Sequence, residues 1–289
     1  MDAVIDIGSN SVRLFVECGR AVTPKLLNTT RLAENLAITG RLDKNAMVRT
    51  KNAVADFFAA AKRQGADNVF VFGTEAMRCP GGELLKTMIE ADIPVNVDII
   101  SGKEEALTGY LGATGGKGSH AVVDIGGASV ELIAGKNETV EYAESLKLGV
   151  VRLKDTLGDR REDIENFCRG AVKAYRAVKA DNLIGIGGTA TSLASMAQNQ
   201  SRYDAEAVHG SVIRRDALSE LTDRIFACRD IPARFPSIDR KRADVIGHGA
   251  VLLGTIMDRL GFDRITVSEH DNIEGYLLLK RRGANALKR

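Results

Sequence analysis

Two short stretches of this chain carry the same pattern of chemistry-bearing residues. Residues 3–16 read AVIDIGSNSVRLFV and residues 121–134 read AVVDIGGASVELIA, an offset of 118, with eight of fourteen positions identical. Each reads as an apolar strand, an Asp-Ile-Gly turn, a Ser and a second strand. Such a turn presents backbone N–H groups and a hydroxyl, which suit phosphate oxygens. Gly8, Gly126 and Gly127 allow the tight hairpin that this requires. One such turn is also what an ordinary hairpin looks like; two homologous copies in one chain point to phosphate held by both. Asp6 and Asp124 precede the turns. Either can hold Mg²⁺, directly or through water, because Mg²⁺ takes few carboxylates and completes its shell with substrate phosphates. Either can equally cap its own turn. Arg13 in the first copy stands where Glu131 stands in the second. A carboxylate there can join Asp124 around a metal, or simply face solvent.

Three further places offer groups for phosphate chemistry. Ser101 with Glu104 three residues on is a capping box, which gives Glu104 a structural job. Glu105 has no such job and lies one turn into the same helix. It can address a water beside a phosphate, or be a solvated acid favoured by the helix dipole. Arg78 follows a buried-looking strand in GTEAMR, where a guanidinium can fork onto phosphate oxygens or form a surface ion pair. Gly187-Gly188-Thr189 puts a helix N-terminus behind a flexible turn, a third anion-site candidate.

The elements that must position these groups alternate. Strands are predicted at 4–7, 12–17, 22–27, 68–72, 95–99, 121–125, 130–134, 139–145, 183–186 and 265–267. Helices are predicted at 44–63, 83–90, 102–114, 161–180, 189–198, 216–228, 240–260 and 272–281. Alternation of this kind argues for a mostly parallel sheet covered on both faces, with a hairpin at its start. The repeat implies two α/β domains of similar topology, 1–119 and 120–289, divided at Lys117-Gly118-Ser119.

Composition narrows the function classes. At 289 residues with 44% hydrophobic and 27% charged residues, the chain is an ordinary globular protein of about two domains. A formal charge of +2 argues against a nucleic-acid protein that works by bulk positive field. Arg169, Lys173 and Arg176 share one face of the expected helix 161–180, and Lys280-Arg281-Arg282 is a second basic run. Both read as solvated faces or as a polyanion track. Cys18, Cys79, Cys168 and Cys228 form no C-x-x-C pair and no zinc spacing with His, which suits reduced thiols in the cytoplasm. The longest uncharged run, 182–201, is too polar to span a membrane, and no basic leader precedes the first strand.

Taken in order, the motifs VIDIGSNSVRL (4–14), RLAENLAITGRL (31–42), GTEAMR (73–78), IISGKEEA (99–106), AVVDIGGASVEL (121–132) and Gly187-Gly188-Thr189 resemble those of the exopolyphosphatase and guanosine pentaphosphate phosphohydrolase (Ppx/GppA) family. The resemblance implies two ribonuclease-H-like α/β domains of the actin, hexokinase and heat-shock-70 ATPase superfamily with an interdomain cleft. It implies Glu105 as the base that activates the attacking water and Arg78 as a phosphate clamp. Asp124 and Glu131, with Asp6 in the first copy, are the implied metal-associated carboxylates. Gly8, Ser9, Asn10 and Ser11, Gly126, Gly127 and Ser129, and Gly187, Gly188 and Thr189 are the implied phosphate binders. Mg²⁺ is the implied cofactor, with another divalent or a monovalent cation as alternatives, and a homodimer is expected from the resemblance alone.

The chain departs from the family pattern at Ala128 and Val130 in the second motif, at 246–249 (IGHG), and in 268–275 (SEHDNIEG), where Ile273 replaces an Arg. His248 and His270 are new polar groups, structural or functional. The leading reading is an exopolyphosphatase releasing terminal orthophosphate from linear, short-chain polyphosphate. The alternatives are a pppGpp 5′-phosphohydrolase or a weakly active alarmone or polyphosphate sensor. A sugar kinase or chaperone of the same superfamily is disfavoured by Glu105 and GTEAMR.

Overall fold

The computed structural model describes residues 1–17, 19 and 25–286. They form two compact units, 1–108 with 276–286 and 109–275. The cores are separate: Ile5, Leu14, Val71 and Leu85 belong to one, and Val123, Leu132, Leu183 and Leu253 to the other.

The first unit is built on a five-stranded sheet of order β3-β2-β1-β4-β5, where β1 is Asp2–Ile7, β2 Val12–Val16, β3 Leu26–Asn28, β4 Asn68–Gly73 and β5 Val97–Ile99. β1, β2 and β3 form an antiparallel meander, and β1, β4 and β5 run parallel. Its helices are α1 (Leu36–Thr39), α2 (Lys44–Arg63), α3 (Gly82–Asp92) and the start of α4 (Gly102–Thr114). Asp43 begins α2 by accepting the Ala46 N–H, an N-cap of the usual kind.

The second unit repeats that plan. Its sheet has the order β10-β11-β9-β6-β7-β8, with β6 Ser119–Ile125, β7 Val130–Lys136, β8 Thr139–Leu146, β9 Asn182–Ile186, β10 Val212–Arg214 and β11 Arg264–Val267. Strands β8-β7-β6-β9-β11 reproduce β3-β2-β1-β4-β5 in order and direction, and β10 is an added antiparallel edge. The helices are α5 (Val150–Leu157), α6 (Arg161–Ala171), α7 (Gly187–Ala197), α8 (Ala205–Val208), α9 (Arg215–Phe226), α10 (Ile231–Arg234), α11 (Ile246–Leu260) and the start of α12 (Asn272–Ala286). The expected division at residue 119 falls at the start of β6, inside the second unit. The second half of α4 belongs to that unit because Gly112 lies where a Cβ would come within 1.8 Å of the Asp271 carbonyl. Residues 276–286 belong to the first unit, where the Tyr276 ring stacks on Phe72 at 4.4 Å.

Most predicted elements appear within a few residues of their expected ends. The helix expected over 161–180 does not: α6 ends at Ala171 and a single 3₁₀ turn, Val172–Ala174, follows. Tyr175 is the cause. It is fully buried, and its hydroxyl donates to the Val130 carbonyl at 2.8 Å while Arg259 bonds its own carbonyl. Arg169, Lys173 and Arg176 therefore do not share a helix face. The helix expected from residue 240 begins at Ile246, after a turn held by Asp239. Sequence periodicity also missed the short α1, α8, α10 and β10, and it missed α5. The strand expected at 22–27 is seen as Leu26–Asn28; residues 22–24, like Cys18, lie outside the described residues.

Candidate active site

The two repeated turns close in the same way. Gly8 N–H donates to the Ser11 carbonyl at 3.0 Å, and Gly126 N–H donates to the Ser129 carbonyl at 3.0 Å. Glycine is needed here for space: a Cβ would approach that carbonyl to 3.1 Å at Gly8 and 3.3 Å at Gly126. Behind each turn the carbonyls are engaged by a separate segment. Arg31 N–H donates to Asn10 O and Ala33 N–H to Ser9 O, both at 2.9 Å. In the second unit the first amides of α5 do this work: Val150 N–H donates to Gly126 O, and Val151 and Arg152 N–H to Gly127 O. A trans peptide points its N–H opposite to its carbonyl. The N–H groups of Asn10 and Ser11, and of Gly127 and Ala128, therefore face away from these supports. That is the orientation an anion-binding turn requires.

Next to the turns the two units differ in charge. Asp6 is buried and faces Arg13 in strand register; Arg13 Nε and Nη2 donate to Asp6 Oδ2 at 2.8 and 2.6 Å. Asp124 is half-buried and faces Glu131 in the equivalent register. Glu131 Oε1 accepts from the Ser145 hydroxyl at 2.7 Å. Two carboxylates facing one another in this way fit a hard divalent cation. Among the described residues no group of three or more His, Cys, Asp or Glu gathers as a metal site, so substrate phosphates would have to complete the shell. A cation at Asp6 would have to displace Arg13.

Glycines bring the third anion candidate against Asp124. Gly187 has φ +77°, and a Cβ there would meet Asp124 Oδ1 at 2.3 Å. Thr189 is buried, and its hydroxyl donates to Ile125 O at 2.8 Å, tying the start of α7 to the end of β6. The first-turn amides of α7 thus lie beside the β6 carboxylate. Sequence reasoning missed Arg242. Its Nη1 donates to Gly188 O at 3.1 Å, and a Cβ on Gly188 would come within 2.2 Å of it. The Gly187-Gly188 pair was the available signal that something packs closely there.

In the first unit, Arg78 and Glu105 are brought together from separate elements. Arg78 ends a 3₁₀ turn after β4, and Glu105 lies in the first turn of α4. Arg78 Nη1 donates to Glu105 Oε2 at 2.8 Å and to Ile100 O at 2.8 Å. The Ser101–Glu104 capping box is formed, with Ser101 N–H to Glu104 Oε2 at 2.8 Å and Glu104 N–H to Ser101 Oγ at 3.2 Å. The hydrogen bond from the Ser101 backbone holds the Glu104 carboxyl below its usual pKa. Of the departures from the family pattern, Val130 and Ile273 are fully buried, whereas Ala128 is exposed in the second turn. His248 is buried with Nε2 2.8 Å from Gly158 O, and the His270 ring packs against His209 at a tilt of 40°, with ring centres 4.4 Å apart. Two of the C-terminal basic residues form ion pairs, Lys280 with Asp98 and Arg281 with Asp2 and Glu17.

Among the described residues no helix is long and apolar enough to cross a membrane. Residues 21–281 match the Ppx/GppA phosphatase family model. Exopolyphosphatase 2 of Mycobacterium tuberculosis is 30% identical over 96% of this chain and 97% of its own length. The guanosine-5′-triphosphate,3′-diphosphate pyrophosphatase of Aeromonas hydrophila is also 30% identical, over 92% of this chain, which spans 56% of that relative. A crystal structure of the Aquifex aeolicus Ppx/GppA family member superposes with a TM-score of 0.85 at 26% identity, covering 98% of both chains. The chain belongs to the Ppx/GppA phosphatase family.

Proposed function

We propose that this protein is a phosphoanhydride hydrolase of the exopolyphosphatase type, releasing terminal orthophosphate from linear, short-chain polyphosphate. The observation that carries the mechanism is the Arg78–Glu105 pair, a phosphate-binding guanidinium and a carboxylate base 2.8 Å apart, each with about 30% of its side chain exposed. A terminal phosphate that draws Arg78 onto its own oxygens leaves Glu105 Oε2 to accept a hydrogen bond from water. Glu105 then takes the proton from water as the water oxygen bonds to phosphorus. The anhydride P–O bond breaks, and the leaving chain carries away the negative charge.

In the first unit the N–H groups of Asn10 and Ser11, and in the second those of Gly127 and Ala128 with the first amides of α7, are donors for phosphoryl oxygens whose charge grows in the transition state. Ser9, Gly8, Gly126 and Ser129 shape those turns. Asp124 and Glu131 would hold Mg²⁺, which would supply charge neutralisation on the phosphoryl oxygens. Asp6 acts differently, fixing Arg13 beside the first turn.

Exopolyphosphatase 2, 30% identical over 96% of this chain, supports polyphosphate as the first substrate to test. The reading extends to a cytoplasmic homodimer, which light scattering on the eluting protein tests. Phosphate release with Mg²⁺ from short polyphosphate, long polyphosphate and pppGpp, beside Glu105→Gln, tests the function. Release that collapses in the variant supports the hydrolase, and the ranking names the substrate. Folded protein that binds these ligands without release is a sensor instead.

A further inference from the structure

Helices α6, α9 and α11 of the second unit line an open cavity of about 220 Å³. None of its lining residues belongs to the candidate active site. The volume is below the ~300–1,000 Å³ of pockets that hold drug-sized ligands, so an occupant would be small. Arg161, Arg169 and Arg215 all line it, against two lining carboxylates, Glu165 and Asp258. Arg215 is paired edge-on with Asp258 through two bonds of 2.7 Å. Glu165 is shared: Arg161 Nε reaches it at 2.7 Å and Arg169 Nη2 at 3.5 Å. Arg161 also pairs with Asp223. Arg169 is the most exposed of the three, with 61% of its side chain in solvent, and its Nη2 also donates to Asn166 Oδ1 at 3.0 Å.

A glycine makes room for this arrangement. Gly254 sits inside α11, where glycine is disfavoured, and a Cβ there would crowd Arg215 Cζ at 3.3 Å. The rim ion pairs are partly exposed, and such pairs are weak, so a stronger oxyanion can take a guanidinium edge from a rim carboxylate at small cost. Guanidiniums from two helices suit a tetrahedral oxyanion. It presents several edges for bidentate contact, whereas a planar carboxylate presents one.

We infer that this cavity is a second anion site, taking a compact phosphate group: free orthophosphate, or the end of a phosphate chain. The test is a titration of orthophosphate, long-chain polyphosphate and acetate, followed by amide NMR at Ser219, Gly254 and Thr255. Orthophosphate is expected to give saturable shifts at these amides, weakened at least about tenfold in Arg169→Gln and in Arg215→Gln. Arg169 is exposed on a helix surface, so its variant remains informative should Arg215→Gln fail to fold. Saturation by polyphosphate as well identifies a chain end as an occupant; saturation by orthophosphate alone identifies the free ion. The inference is overturned by absence of saturation, by shifts indifferent to both substitutions, or by equal binding of acetate. The readout is binding at three named amides, so it stands or falls separately from turnover.

Discussion

Arg13 reaches across the first hairpin to Asp6, with Nη2 2.6 Å from Oδ2, at the register position where the second hairpin sets Glu131 opposite Asp124. One duplicated hairpin thus carries its own cation in one copy and faces two carboxylates in the other. Like charges directly opposite each other on a sheet are destabilising unless something compensates them.

Arg13→Glu should turn the first hairpin into an electrostatic copy of the second. The variant is expected to melt several degrees lower than wild type without divalent cation, and Mg²⁺ should recover part of the loss. Thermal melts with Mg²⁺ and with chelator check this. A fall in Tm that Mg²⁺ leaves untouched would show that the facing carboxylates do not by themselves attract the metal. In the second unit, Asp124→Asn and Glu131→Gln should each lower kcat by about 10²-fold or more, the scale of a lost electrostatic stabiliser.

Arg78 and Glu105 should behave as a unit. Glu105→Gln is expected to cost about 10²–10⁴ in kcat with little change in KM, as for a lost general base. Arg78→Ala should raise KM and lower kcat together. The double variant should be much better than the product of the two losses, because the residues act on one step. Additive losses in steady-state kinetics would show that the pair does not share a role.

Gly187→Ala tests how the start of α7 is placed. The added Cβ meets Asp124 Oδ1 at 2.3 Å, in a backbone conformation with φ +77°. Such strain costs about 1–3 kcal/mol, so urea denaturation should show a loss of that order. Activity should fall further than stability, because Asp124 is displaced. Gly170→Ala, in open space on α6, is the control and should be neutral or stabilising.

Acid should loosen the C-terminal end of α12 in the first unit. Asp2 titrates below its ordinary value of 3.8, held down first by the Asn68 hydrogen bond and then by Arg281. Asp98 is also lowered: burial pushes it up, and the Lys280 and Tyr276 hydrogen bonds outweigh that. Both groups are more acidic folded than unfolded. Their contribution is therefore present above pH 3.8 and is lost as pH falls through the lower folded values. Melts between neutral pH and strong acid should show the loss, and Arg281→Ala should flatten it. An unchanged acid slope in that variant would remove Arg281 from the account.

Much of this protein was legible in its residues because the signals are local. The 3.6-residue pattern and Asp43 specify α2 to its ends, and Ser101 with Glu104 marks the start of α4. The duplicated Asp-Ile-Gly turn foretold two sheets of one order, since each copy must open a strand pairing of the same kind. The missed elements are short or set by contacts from elsewhere. α5 has its first amides satisfied by Gly126 and Gly127, which lie 24 or more residues earlier. α6 stops where Tyr175 turns inward to Val130, a partner 45 residues away.

The sequence by itself determined the family, the repeated α/β plan and the residue types that phosphate chemistry needs, because motifs and periodicity are written over a few adjacent positions. Only the tertiary structure decided which of those residues meet. Arg78 and Glu105 are 27 positions apart, and Arg242 reaches Gly188 across 54. It also decided that Asp6 faces a guanidinium while Asp124 faces a carboxylate. A cross-strand neighbour is set by register, and the electrostatic character of a carboxylate is set by that neighbour.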